Sequence, residues 1–122
     1  MQFRHHFLGL ALAALFATAG AHAAPLDSSA SAKIDEAINT HYLAMDFRKA
    51  EGVLLGVIKA CGNQCSNETL GRAWMYVGLV RGSGRQDLTA SKEAFQTAKS
   101  FDPNVELDSA LATPEVKAIW DS

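Results

Sequence analysis

The two cysteines are the residues of this chain best suited to do chemistry, and only three residues separate Cys61 from Cys65. Such a pair can form a structural disulfide, act as a redox dithiol, contribute to a metal site or remain as free or intermolecular thiols. In a continuous helix the two Cβ atoms would lie about 5–6 Å apart, whereas a disulfide requires about 3.8 Å. Gly62 and Asn63 tolerate the left-handed conformation that ends helices. We therefore expect a break at these two residues and a disulfide that fixes the turn.

The redox and metal alternatives have less support from the surrounding residues. A redox dithiol typically stands at a helix N-terminus with two intervening residues, where the helix dipole lowers a thiol pKa. Cys61 is instead predicted to end a helix. A zinc site needs about four ligands, and His41 is the only histidine after Ala23. We predict no metal site and no cofactor, with a small thiol-disulfide oxidoreductase as the alternative function.

Other groups that could catalyse a reaction lack partners at a recognisable spacing. His41 has neither a serine nor a cysteine marked out as its nucleophile. The carboxylates are spread along the chain without the pattern of a paired acid and base. The glycine-containing stretch 82–85 lacks the lysine and the Ser/Thr that follow a phosphate-binding loop. The sequence therefore predicts no catalytic residue and a protein that is not an enzyme.

Residues 1–23 have the pattern of a secretory signal. A short start that contains Arg4 precedes 13 apolar residues, 7–19, and the small residues Ala21 and Ala23 stand before the predicted cleavage point. A membrane-spanning helix needs about 17–25 apolar residues. We predict cleavage after Ala23, a periplasmic or secreted protein and no membrane insertion after cleavage. An uncleaved anchor is the alternative, and an oxidising compartment favours the disulfide.

The charge balance argues against a nucleic-acid partner. Removal of residues 1–23 leaves 10 Lys and Arg side chains against 13 Asp and Glu side chains, a net charge of −3. No basic cluster is larger than Arg48-Lys49. Nothing in this distribution attracts a phosphate backbone, so we predict no binding to nucleic acid.

The remaining residues, 24–122, have the periodicity of helices. Proline occurs only at positions 25, 103 and 114, so long stretches are free of the strongest helix breaker. Apolar residues recur every three to four positions over 32–45 and 50–61, and apolar stripes predict further helices over 66–80 and 88–101. A capping threonine, a first-turn proline and a first-turn acid at 113–115 predict a short helix through Trp120. No stretch alternates with a period of two. We predict an all-α fold of two antiparallel helix hairpins and a short C-terminal capping helix.

The two predicted hairpins come into register when residues 46–50 are aligned with residues 87–91, a spacing of 41. The second hairpin resembles a tetratricopeptide repeat in Trp74, Gly78, Phe95, Ala98 and Asp102-Pro103. The first hairpin shares Phe47 and Ala50 but lacks the tryptophan, the glycine and the closing proline. The second has one extra residue between Arg81 and Gln86. The resemblance implies repeat units at about 31–62 and 71–104, with a cap at about 105–122.

The resemblance also implies that a protein or peptide segment binds to a concave surface lined by the first helix of each unit. Carried over to this sequence, the partner-binding residues are Asp35, Asn39, Tyr42, Arg72, Met75 and Leu79. The alternative is that the final helix covers these residues, with Ile119 and Trp120 folded over the groove.

Two units leave one apolar face of the stack to be covered, because about three units normally make a stable array. The C-terminal segment, a ligand or a second copy of the chain could cover that face. The leading prediction is a non-enzymatic adaptor that binds a protein or peptide partner in the cell envelope. A self-associating structural module, a homo-oligomer, is a further alternative.

Overall fold

The chain folds into helices, as predicted. The computed structural model of the protein describes residues 24–122, and the predicted signal segment 1–23 lies outside the described residues. The five α-helices are α1 (Asp27–Glu36), α2 (Phe47–Cys61), α3 (Asn67–Leu79), α4 (Leu88–Phe101) and α5 (Pro114–Asp121). Residues 24–122 contain no strand, so the predicted all-α fold is confirmed.

The first helix of each hairpin ends in a wider, π-helical turn. Residues Ala37–Tyr42 extend α1 in this way, and residues Val80–Gly84 extend α3. The loop after each of these helices has the same backbone conformation just before the next helix. Met45 and Gln86 are both left-handed, with φ of 62° and 58°. The carboxylates of Asp46 and Asp87 then cap α2 and α4. These matching turns support the register of 41 residues.

The loop of the second hairpin is one residue longer. The backbone N–H of Asp46 donates to the carbonyl of His41, whereas the N–H of Asp87 donates to the carbonyl of Arg81. The extra residue predicted between Arg81 and Gln86 therefore lies within the turn. The aspartate cap that follows is the same in both hairpins.

The hairpins stack in a row. Helix α3 packs against α2 of the first hairpin and α4 of its own hairpin, and α1 also contacts α3. This arrangement of successive helix pairs is compatible with a helical-repeat fold.

Helix α1 begins earlier than the predicted start at Ala32, because its first residues bond to the corner between α2 and α3. The N–H of Leu26 donates to the carbonyl of Gln64 at 3.1 Å. A carboxylate oxygen of Asp27 accepts a hydrogen bond from the N–H of Ser66 at 2.8 Å, and this bond holds the pKa of Asp27 below its ordinary value. These contacts lie more than thirty residues apart in sequence, so helical periodicity alone does not predict them.

The corner itself contains the predicted disulfide, which joins Cys61 and Cys65 across a Cα–Cα distance of 5.2 Å. Gly62 ends α2 with φ at 49°, a conformation that side-chain-bearing residues rarely adopt. Both cysteines are buried. The helix break and the structural bond predicted from the sequence are both present.

The C-terminal capping helix is also present. The hydroxyl of Thr113 caps α5, and Pro114 occupies its first turn. Val116 is fully buried, and the ring of Trp120 meets Phe95 of α4 edge-on at 5.0 Å between centroids. Helix α5 therefore closes the outer side of the second hairpin.

Glu51 of α2 connects the two hairpins electrostatically. Its side chain is 12% exposed and accepts hydrogen bonds from Arg81 Nε at 3.1 Å and Arg85 Nη1 at 2.6 Å. Burial by itself would raise the pKa of Glu51, but the two guanidinium groups outweigh burial and hold the pKa below its ordinary value of 4.5. The folded state therefore favours the ionised carboxylate.

Replacing Glu51 by glutamine should lower the free energy of unfolding at neutral pH by about 1–2 kcal/mol, because a half-buried Arg81 loses its counter-charge. A carboxylate with a lowered folded-state pKa stabilises the fold above its unfolded pKa, and this contribution is lost as the pH falls through the folded-state pKa. Urea unfolding between about pH 7 and pH 3 should therefore show that acidification lowers the free energy of unfolding less in Glu51→Gln than in the wild type. Glu93→Gln, on the exposed face of α4, is the matched control. Identical acid dependence in the wild type and Glu51→Gln would contradict this interpretation.

Candidate functional site

A groove runs between α3 and the segment that follows α4. It has a volume of about 420 Å³. We call it the α3 groove, and its walls combine polar and apolar side chains. It is lined by Glu68, Arg72, Met75 and Tyr76 of α3 and by Asp102, Asn104, Val105, Glu106, Leu107 and Asp108.

Arg72 brings the two hairpins together at this groove. Its guanidinium donates to a carboxylate oxygen of Asp35 in α1 at 2.6 Å and lies 5.4 Å from the centre of the Tyr76 ring. The neighbouring positions of α1 and α3 in the stack make this contact possible. Asp35 and Arg72, which the resemblance assigned to different units, are therefore paired.

Tyr76 of α3 is bonded to the other wall of the α3 groove, the segment that follows α4. Its hydroxyl donates to a carboxylate oxygen of Asp108 at 2.9 Å. Burial raises the pKa of Tyr76, the Asp108 carboxylate raises it further, and Arg72 opposes both effects. The phenol thus remains a neutral donor, and its hydrogen bond holds the segment around Asp108 against α3.

The groove has a negative charge balance. Four carboxylates line it, those of Glu68, Asp102, Glu106 and Asp108, against the single cation of Arg72. Arg72 is itself already paired with Asp35. Val105 and Leu107 supply apolar surface next to these charges. An aliphatic stem that ends in a cation would find complementary groups here.

The predicted partner-binding residues fall into three groups. Arg72 and Met75 line the α3 groove, and Asp35 joins it through Arg72. Asn39 is exposed on the π-helical turn. Tyr42 is half-buried, with its hydroxyl donating to the carbonyl of Leu111 at 3.4 Å. The C-terminal segment therefore covers part of the surface that the resemblance assigned to a partner.

Leu79 and most of Met75 belong to the core, which differs from the predicted surface role. Leu79 is fully buried and Met75 is nearly so. Helix α3 is enclosed by α2, α4 and the residues after α4, so apolar side chains outside its main stripe are also buried. The alternative placed Trp120 over the groove, but Trp120 instead lies on Phe95 and Lys99 of α4.

Sequence reasoning did not identify Tyr76 and Asp108 as a pair. They lie 32 residues apart in sequence, and Asp108 stands between regular helices, where no periodicity applies. The one available signal was the apolar set Val105, Leu107 and Leu111, which indicates that this segment packs against the rest of the chain.

The remaining groups that could do chemistry are His41 and the potential metal ligands of residues 24–122. His41 Nε2 lies 3.8 Å from a carboxylate oxygen of Glu36, and within residues 24–122 it has no hydrogen-bond partner. The same residues contain no group of three or more His, Cys, Asp or Glu side chains placed to hold a metal ion.

Helices α1 to α5 are all too short or too polar to cross a membrane. Comparisons with protein-family models, with curated proteins and with solved structures found no match to this chain.

Proposed function

We propose that the protein is an exported, tetratricopeptide-like adaptor that binds a protein or peptide segment in the cell envelope through the α3 groove. Three features support this proposal. The two hairpins have the same turn conformation at a spacing of 41 residues. Phe95 and Gly78, two residues of the tetratricopeptide pattern, pack against each other, and the N-terminal residues have the pattern of a signal. Both cysteines of the disulfide are buried, which disfavours thiol exchange and hence the oxidoreductase alternative.

The α3 groove is the observation that carries the proposal. It is recessed, it has both charged and apolar walls, and its tyrosine and arginine are held in place by hydrogen bonds before any ligand arrives. Groups that are fixed in advance reduce the entropy lost on binding. The excess of carboxylates selects an extended segment that carries lysine or arginine, with the aliphatic stem lying on Val105 and Leu107.

Defined peptides test this proposal. Immobilised protein is incubated with lysine-rich, neutral and glutamate-rich decapeptides that share the same apolar residues. We expect preferential retention of the lysine-rich set, and weaker retention as salt concentration rises. Glu106→Lys should weaken this binding by about tenfold, because it reverses an exposed charge at the groove.

Glu93→Lys provides the matched control, since Glu93 is equally an exposed glutamate but lies on α4, outside the α3 groove. This variant should bind like the wild type. Equal retention of the three peptide sets, or equal losses in the two variants, would refute the proposed site. Turnover of a small molecule by the purified protein without any peptide binding would refute the adaptor function.

A further inference from the structure

A second recess lies on the first hairpin, along α2, and shares no lining residue with the α3 groove. One depression of about 440 Å³ runs between α1 and α2. An adjoining depression of about 520 Å³ lies at the start of α2, and the two share Val53. We call the two adjoining depressions together the α2 trough. Its apolar part is lined mainly by Leu26, Ala30, Val53, Gly56, Val57 and Ala60.

The floor of the α2 trough is made of residues with little or no side chain. Gly52, Gly56 and Ala60 follow one another at four-residue intervals and are exposed. A Cβ added to Gly52 or Gly56 would meet no atom within 4 Å. A helix backbone can therefore approach α2 closely along this line.

The shape of the trough decides between a lipid surface and a protein helix. Binding to a lipid interface requires apolar side chains that project into the bilayer. The α2 trough has the opposite form, because its apolar atoms line a recess floored by glycine and alanine. A recess of this kind matches the apolar side of an amphipathic helix.

The trough is also the open end of the helical stack. Helix α3 packs against another side of α2, and α5 packs on α4 at the far end. Helical repeats bury their apolar faces against a neighbouring helix pair. Within residues 24–122, no helix fills the corresponding position beside α1 and α2.

The charge at one end of the trough indicates the chemistry of its occupant. Arg48 and Lys49 line that end and stand in the first turn of α2, where the helix dipole disfavours cations. At the same positions of the second hairpin stand the uncharged Thr89 and Ala90, so the repeated turn does not require cations. No ion pair within residues 24–122 involves Arg48 or Lys49. Asp46, the nearby carboxylate, accepts the N–H of Lys49 as the helix cap.

We infer that the α2 trough binds an amphipathic helix of a partner protein, with the apolar stripe of that helix over Gly52, Gly56 and Ala60 and its acidic residues over Arg48 and Lys49. This inference goes beyond the proposed function, because it concerns a different surface, a partner of opposite charge and a helical ligand. The protein thereby has two docking surfaces of opposite charge that share no lining residue.

Two synthetic helices of 15 residues, the length of α2, test this inference. Both carry the same leucine stripe, and their polar positions hold glutamate in one peptide and lysine in the other. Fluorescence anisotropy with the purified protein should show that the glutamate peptide binds about tenfold more tightly. The double variant Arg48→Glu/Lys49→Glu should reverse this preference, and its new charges suit the N-terminus of α2.

A further variant tests the shape of the trough independently of its charge. Gly56→Gln introduces a side chain into open space, so the temperature of thermal unfolding should not fall. The affinity for the glutamate peptide should decrease by about tenfold. Ala118→Gln, which also places glutamine at an exposed small residue of a helix, should leave the affinity unchanged.

Several outcomes would overturn the inference. Equal affinities for the two synthetic helices would show that charge does not select the ligand. Wild-type affinity of Gly56→Gln for the glutamate peptide would show that the helix does not bind in the trough. A dimer in sedimentation that Gly56→Gln dissociates would show that a second copy of the chain is the occupant. Preferential binding to anionic lipid vesicles would assign the surface to a membrane. Glu106→Lys alters the α3 groove and Gly56→Gln alters the α2 trough, so the two variants distinguish failure of one surface from failure of the other.

Discussion

Phe95→Ala should lower the free energy of unfolding by about 3–5 kcal/mol. Phe95 is 2% exposed and lies at the point where α3, α4 and α5 meet. One side of its ring fills the space left by Gly78, and Trp120 meets the ring edge-on. Truncation removes apolar burial and leaves a cavity that three packed helices cannot fully close. Because small domains are stable by only about 5–15 kcal/mol, the variant should be close to unfolding at ambient temperature.

Urea unfolding followed by circular dichroism measures this loss, and Leu88→Ala is the control on the same helix. Leu88 is 41% exposed, so its truncation should cost less than about 1 kcal/mol. Phe95→Leu keeps most of the apolar volume, so its loss of unfolding free energy should lie between those of Phe95→Ala and Leu88→Ala. This variant gives a measurable value even if Phe95→Ala does not fold. Similar costs for Phe95→Ala and Leu88→Ala would show that the ring is not enclosed as described.

The parts of the fold that sequence predicts well depend on local signals. Helical periodicity identified α1 to α4, and the helix-start signals around Pro114 identified α5. Asp46, Ser66, Asp87 and Thr113 act as N-caps. The break at Gly62 follows from the geometry of two cysteines that cannot pair within a helix. Each of these inferences uses residues that lie within a few positions of one another.

The parts that sequence did not predict depend on contacts between distant residues. The early start of α1 is stabilised through Ser66. The position of residues 105–111 over α3 is stabilised through Tyr42 and Tyr76. Neither contact has a signature within a short window, because hydrogen-bonding partners across a fold obey no fixed spacing.

The candidate site shows the same division. Arg72 was identified through the resemblance, and its pairing with Asp35 follows from the stacking of α1 on α3. Leu79 was assigned to the surface through the same resemblance. Helix α3 is in fact surrounded on several sides, and Leu79 is fully buried. The buried fraction of a central helix depends on how many helices and loops pack around it. The sequence of that helix alone does not specify this number.

Gly78→Ala should destabilise the protein by about 3 kcal/mol, although alanine is normally the better helix former by about 1 kcal/mol. A Cβ at position 78 would lie less than 3.0 Å from two ring carbons of Phe95. The ring cannot retreat, because Trp120 stands against it. The glycine is therefore required by the approach of α4 to α3, and urea unfolding of the variant measures the cost of overpacking that contact.

Gly52→Ala is the matched control, because its added Cβ would meet nothing within 4 Å. That variant should gain up to about 1 kcal/mol from helix propensity alone, so the same chemical change should have opposite signs at the two positions. Combining Gly78→Ala with Phe95→Leu should make the loss smaller than the sum of the two single losses, since an aliphatic side chain can rotate away from the new methyl group. Additive losses, or a stabilised Gly78→Ala, would mean that the contact between the helices is not set by the ring of Phe95.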